Sequence, residues 1–100
     1  VELNLPFLRH IIQFLSPQYI DFILTSIKKE LKKLGKKFRK IRQLPEKRQQ
    51  IYGRLDMIEK FLWELENHIK LSLPDQKKAR KILKKICNMM KDIYKLRSEV

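Results

Sequence analysis

The chain has 100 residues, 24 of them Lys or Arg against 11 Asp or Glu, for a formal charge of +13 at pH 7. With 43% hydrophobic and 35% charged residues it has the make-up of a globular chain, and its length allows one core without a second lobe. Two glycines exclude Gly-rich phosphate loops and collagen-like repeats, and a single cysteine, Cys87, excludes an internal disulfide. One Cys with two distant histidines, His10 and His68, supplies no zinc site at any usual spacing, and no cofactor motif is present. A reducing, intracellular setting, cytoplasmic or nucleoid-associated, is therefore expected. The opening at Val1 carries no basic n-region or cleavage motif, so no signal peptide is expected; Val1 itself suggests a processed or truncated start. The longest apolar stretch, residues 5–27, is interrupted by Arg9, His10, Ser16, Pro17 and Asp21, which argues against a membrane span.

The first segment opens on Asn4-Leu5-Pro6, a cap followed by a proline that a first helical turn tolerates. A helix over about residues 5–15 follows, with only Arg9, His10 and Gln13 on its polar side. Leu5, Phe7, Leu8, Ile11, Ile12, Phe14 and Leu15 cover the rest, so something must cover them. Either the helix is the short fourth member of a bundle, the favoured expectation, or Phe7, Ile11 and Phe14 meet another chain.

Ser16-Pro17 starts the second segment, over about 17–42, where Ile20, Leu24, Ile27, Leu31, Leu34, Phe38 and Ile41 recur at steps of four and three. Gly35 inside this pattern suggests a bend or early fraying. Pro45 starts the third, over about 45–71, with Ile51, Leu55, Ile58, Leu62, Leu65 and Ile69 on the same spacing and Gly53 within it. Ser72-Leu73-Pro74-Asp75 resembles a capping box and starts the fourth, over about 74–98, with Ala79, Ile82, Ile86, Met89, Ile93, Leu96 and Val100. Strands would alternate every second residue, and none of these segments does. Phe22, Ile23, Phe61, Leu83 and Tyr94 are expected to flank the seam, with Met89 and Met90 filling it. Connections of two or three residues force neighbouring helices to run antiparallel. The expected architecture is a single all-α domain over residues 1–100: an antiparallel bundle of three long helices plus a short N-terminal one, roughly 35 to 40 Å long.

The charge is uneven. Lys28, Lys29, Lys32, Lys33, Lys36, Lys37, Arg39, Lys40 and Arg42 put nine cations in fifteen residues against Glu30 alone. The fourth segment adds Lys77, Lys78, Arg80, Lys81, Lys84 and Lys85, and then Lys91, Lys95 and Arg97, against few acids, whereas the third balances five acids with five bases. Lys-rich helix exteriors are often mere solvated faces, but those intersperse Glu at i,i+4. Here like charges at that spacing (Lys28/Lys32/Lys36/Lys40, Lys77/Lys81/Lys85) each cost a few tenths of a kcal/mol. In an up-down-up bundle the second and fourth helices lie side by side, so their lysines are expected to share one polyanion-binding wall with the acids behind. Lys outnumbers Arg, which favours delocalised phosphate contact over base reading.

Tyr52 and Trp63, eleven residues apart on nearly one face, are candidates for stacking on bases or anchoring a partner, or else receive the apolar first helix, the favoured alternative. Cys87 is expected to be a half-buried structural thiol, and His10 and His68 ordinary surface residues. Glu64 and Glu66 fall on different faces and form no acid/base pair, so no catalysis is expected. Arg80-Lys81-Ile82-Leu83 and Asp92-Ile93-Tyr94-Lys95-Leu96-Arg97 resemble helical subunits of archaeal replication complexes, as other Lys-rich heptad helices do; this implies a replication setting and assigns no residue. The expected function is a non-enzymatic, sequence-nonspecific nucleic-acid-binding accessory subunit, with DNA favoured over RNA and no small-molecule substrate. The alternative is a protein-interaction module docking its basic face on an acidic partner. A third idea, attachment to anionic lipid through Phe7, Ile11 and Phe14, is disfavoured because the lysines lie mostly outside that helix.

Overall fold

In the computed structural model, which describes residues 3–41, 43–72 and 76–98, the chain is an all-α bundle. Its elements are α1 (Leu5–His10), a 3₁₀ turn (Ile12–Phe14), α2 (Pro17–Lys40), α3 (Pro45–Ser72) and α4 (Gln76–Ser98). The first two helices are capped as their sequences demand. The Asn4 side chain accepts a hydrogen bond from the Phe7 amide and the Ser16 hydroxyl from the Tyr19 amide, each just before a proline in the first turn. Arg42 and the capping-box residues Leu73, Pro74 and Asp75 lie outside the described residues.

Cross-helix pairs fix the directions. Trp63 with Met90, Glu59 with Tyr94 and Asp56 with Arg97 run oppositely along α3 and α4. Arg54 with Glu30 and Tyr52 with Phe38 do the same for α3 and α2. Asp21 with Lys85 and Gly35 beside Leu96 make α2 and α4 parallel neighbours. The expected bundle of three long helices and a short N-terminal one is what the chain forms, 47 Å along its long axis and 23 and 19 Å across. It is longer than expected because α3 alone has 28 residues, about 42 Å of helix.

The core is the seam. Ile20, Leu24, Ile27, Leu31, Phe38 and Ile41 from α2 and its cap, Ile51, Leu55, Ile58, Leu62, Leu65 and Ile69 from α3, and Ile82, Ile86, Met89, Ile93 and Leu96 from α4 are all buried. Each buried aliphatic side chain contributes roughly 1.5–3 kcal/mol by removal from water. Leu34 and Ala79 are only half-buried, and Val100 is outside the described residues. Of the expected flanking residues, Ile23 and Phe61 are buried and Leu83 partly so, but Phe22 and Tyr94 are exposed.

The first segment departs from expectation. The α-helix stops at His10; Ile11 (φ −112°, ψ 12°) donates to the Leu8 carbonyl three residues back, and the tighter 3₁₀ turn follows. This winding turns Ile12 into the core beside Leu5 and Leu8, and lets Ser16 extend into Pro17. The segment packs against α3 as the short fourth member, yet Phe7 and Phe14 stay 57% and 76% exposed. Gly35 also corrects the sequence reading. It neither bends nor frays α2, which continues to Lys40; it is buried against α4, and a Cβ there would sit 3.3 Å from a Leu96 methyl.

Candidate nucleic-acid interface

The cations of α2 occupy its outer half and divide between two flanks. Lys28, Lys32 and Arg39 line a groove along the α2/α4 seam, met from α4 by Lys95 and by Asp92. The same seam continues toward the N-terminus of α2 past Thr25, Lys28, Lys85, Asn88 and Asp92. Lys29, Lys33 and Lys37 line a separate groove on the other flank, with Leu3, Ser26, Glu30 and Leu34. Lys36 and Lys40 are exposed between the flanks. On α4, Lys77, Lys78, Arg80, Lys81 and Lys84 are exposed, and Lys85 pairs with Asp21 across the seam at 2.8 Å. The expected single wall is therefore corrected: with Asp21 level with Lys85 and Gly35 level with Leu96, the cations of the C-terminal half of α2 and those of the N-terminal half of α4 lie toward opposite ends of the bundle, joined along a seam that carries Lys28, Lys85 and Lys95 but also Asp21 and Asp92.

Two acids, Glu30 and Glu59, are largely shielded, and others pair at the surface. Glu30, alone among the α2 cations in sequence, takes two hydrogen bonds from Arg54 at 2.6 and 2.8 Å, with the pair's side chains 14% and 13% exposed. Arg54 also donates to the Leu3 carbonyl, tying the N-terminal segment to α3. Glu59, the buried carboxylate, meets Arg97 at 2.6 Å, and Arg97 also pairs with Asp56. Glu64 holds Arg9, and Glu66 holds Lys70 within α3. Among the described residues no carboxylate pairs with Lys28, Lys29, Lys32, Lys33, Lys36, Lys37 or Lys40, nor with Lys81 or Lys84. Arg97, counted with the basic residues in sequence, instead locks α4 to α3.

The candidate partner-binding residues differ in exposure and in the neighbours they touch. Ile11 is half-buried against the core; Tyr52 sits edge-to-face on Phe38, with ring centres 5.8 Å apart. Trp63 is 51% exposed, and its indole N–H donates to the Met90 sulfur at 3.2 Å. The reading that Tyr52 and Trp63 receive the first helix is therefore corrected: one leans on α2 and the other on α4, while the first segment lies along α3 near Glu64 and His68. Cys87 is exposed and not half-buried, because the step of about 100° from Ile86 carries it past the flanking Leu83 and Met90.

One cluster escaped the sequence reading. Arg9, His10 and Gln13 meet Glu64 and His68 around a shallow groove between the N-terminal segment and α3. The hydrogen bonds from Arg9, at 2.6 and 2.9 Å, hold the Glu64 carboxyl below its usual range; partial burial opposes this, and the charges of Arg9 and His10 reinforce it. The same bond raises the Arg9 guanidinium further. No sequence signal links positions 10 and 64, since only the packing of the first segment on α3 joins them. Among the described residues no group of three or more His, Cys, Asp or Glu is placed to hold a metal, and no helix is long and apolar enough to cross a membrane. Comparison of the chain with protein-family models, curated proteins and solved structures finds no match.

Proposed function

We propose that the chain is a non-enzymatic accessory protein or subunit that holds nucleic acid, DNA in preference, by its phosphate backbone through the cations of α2 and the N-terminal half of α4. The observation that carries this reading is the fate of Glu30. The one acid within the α2 run is turned onto Arg54, so seven lysines of that helix face solvent with no carboxylate partner among the described residues. Their i,i+4 repulsions disfavour the helix, and a polyanion relieves them by replacing many mobile counterions at once. Lysine ammonium groups, as mobile point charges, suit backbone contact without base selection. A replication or polymerase complex is the setting that the resemblance of the α4 sequence implies.

Anisotropy of a labelled duplex across a salt series tests the proposal. Micromolar or weaker affinity at physiological salt, falling steeply with added salt, is expected, and reversing Lys32, Lys36, Lys81 and Lys84 to Glu abolishes binding without unfolding an apolar core that contains none of them. Affinity that stays flat between low and moderate salt overturns it. The exposure of Phe7 and Phe14 favours a second reading, in which an apolar contact accompanies docking of the basic face on an acidic protein surface. A stoichiometric protein partner recovered after nuclease treatment would support that reading instead.

A further inference from the structure

Phe22 belongs neither to the core nor to any helix contact described above, although its place beside the apolar seam predicts a flanking core role. It is 59% exposed, and its ring lies 5.9 Å from that of Tyr19, one turn earlier and also exposed, at an interplanar angle of 33°. From Phe22, steps of seven, four, three and four residues lead to Lys29, Lys33, Lys36 and Lys40, and such steps return to nearly the same side of a helix with about 3.6 residues per turn. All four lysines are exposed and lack a carboxylate partner among the described residues. One outer stripe of α2 therefore carries an aromatic ring at its start, then cations spaced about one turn, roughly 5 Å, apart.

We infer that this stripe is a track for single-stranded nucleic acid, with a base stacked on Phe22 and the following phosphates held by Lys29, Lys33, Lys36 and Lys40. The inference rests on the nucleic-acid reading proposed above and specifies the strand state. A duplex offers phosphates to the lysines, but its bases are already stacked on one another and cannot use an exposed ring. A single strand offers both, which is the combination of aromatic platform and positive groove that serves sequence-tolerant single-strand binding. The exposed Tyr19 ring beside it widens the aromatic platform offered to a base. An anionic lipid surface fits the stripe less well. Between positions 28 and 40, α2 exposes no apolar side chain: Leu31 and Phe38 are buried and Leu34 is half-buried, so most of the stripe has nothing to insert.

The test compares oligothymidylate, long enough to cover the stripe, with a duplex of equal length, using the whole chain and its Phe22→Leu and Phe22→Tyr variants. Phe22→Leu keeps apolar bulk but removes the π-face, and exposure of the site leaves the fold intact. The expected result is tighter binding of the single strand, weakened roughly 5- to 100-fold by Phe22→Leu, restored by Phe22→Tyr, with duplex affinity unchanged throughout. Phe22→Leu with unaltered single-strand affinity overturns the inference; if the four-lysine reversal still abolishes binding, the nucleic-acid reading survives that failure. No binding of either strand state overturns both. Sedimentation with phosphatidylserine–phosphatidylcholine vesicles, unaffected by Phe22→Leu and without a single-strand preference, assigns the stripe to lipid and also overturns the inference.

Discussion

Glu30 and Glu64 each face an arginine, but the two pairs work differently. The Glu30–Arg54 pair is largely shielded and neutralises the acid that lines the Lys29, Lys33 and Lys37 groove, whereas the Arg9–Glu64 pair is half-exposed and joins the short first segment to α3. An exposed ion pair adds little to global stability, so the consequence of the second is local. The Glu64 carboxyl titrates below its ordinary value of 4.5, chiefly because Arg9 hydrogen-bonds its charged form. A depressed folded value means the contribution is complete above 4.5 and is lost as pH falls through the folded value. Acidification below the usual glutamate range should therefore loosen α1 before α2, α3 and α4. Hydrogen exchange of the α1 amides across pH checks this: protection falls with acid in the parent chain, and Glu64→Gln, which has no charge to lose, removes that step. Identical pH profiles in the two chains would count against Glu64 as the anchor.

At the scale of the helix, the two glycines separate what propensity alone dictates from what packing dictates. Gly53 is exposed on α3 with nothing within 4 Å of a Cβ placed there, whereas Gly35 lies where α2 and α4 approach. Neither has a positive φ, so both pay the helix cost of glycine without a backbone need for it. Gly53→Ala should raise unfolding free energy by about 1 kcal/mol, measured by urea denaturation. Gly35→Ala should gain less, because its methyl must displace the Leu96 side chain, and equal gains at both sites would show that the approach of α4 imposes no constraint. This contrast also marks the limit of sequence reading. The steps of three and four along Ile20 to Ile41, Ile51 to Ile69 and Ile82 to Leu96 made the helices legible, because each long helix buries one stripe. The break at Ile11, the role of Gly35, the inward turn of Glu30 and the exposure of Phe22 depend on which helix lies opposite, and a chain read along its length carries no such information. The candidate interface was legible as a list of cations; which of them keep their charge free, and how they divide between two flanks of α2, was decided by cross-helix partners.

Across the whole molecule, the arrangement opposes two electrostatic effects. Among the described residues Asp21, Glu30, Asp56, Glu59, Glu64 and Glu66 are engaged in ion pairs, while a net +13 remains to repel itself. Added salt screens both, but not equally: the shielded Arg54–Glu30 and Arg97–Glu59 pairs feel it less than the exposed lysines, whose repulsions extend over a Debye length of about 10 Å at 0.1 M. The i,i+4 lysine pairs of α2 together cost on the order of 1 kcal/mol, and relieving them should raise the thermal midpoint by roughly 4 to 8 °C. The same salt should weaken binding to phosphate, so stability and affinity are expected to move in opposite directions. Calorimetry of the free chain in rising NaCl checks the first half. The variant with Lys32, Lys36, Lys81 and Lys84 reversed to Glu carries a formal charge of +5, eight below the parent, and its midpoint should respond less to salt. A parent midpoint that is flat or falls with salt would mean that the cross-helix pairs, and not lysine repulsion, dominate the electrostatics of the bundle, and that the cationic face costs the fold nothing for a ligand to relieve.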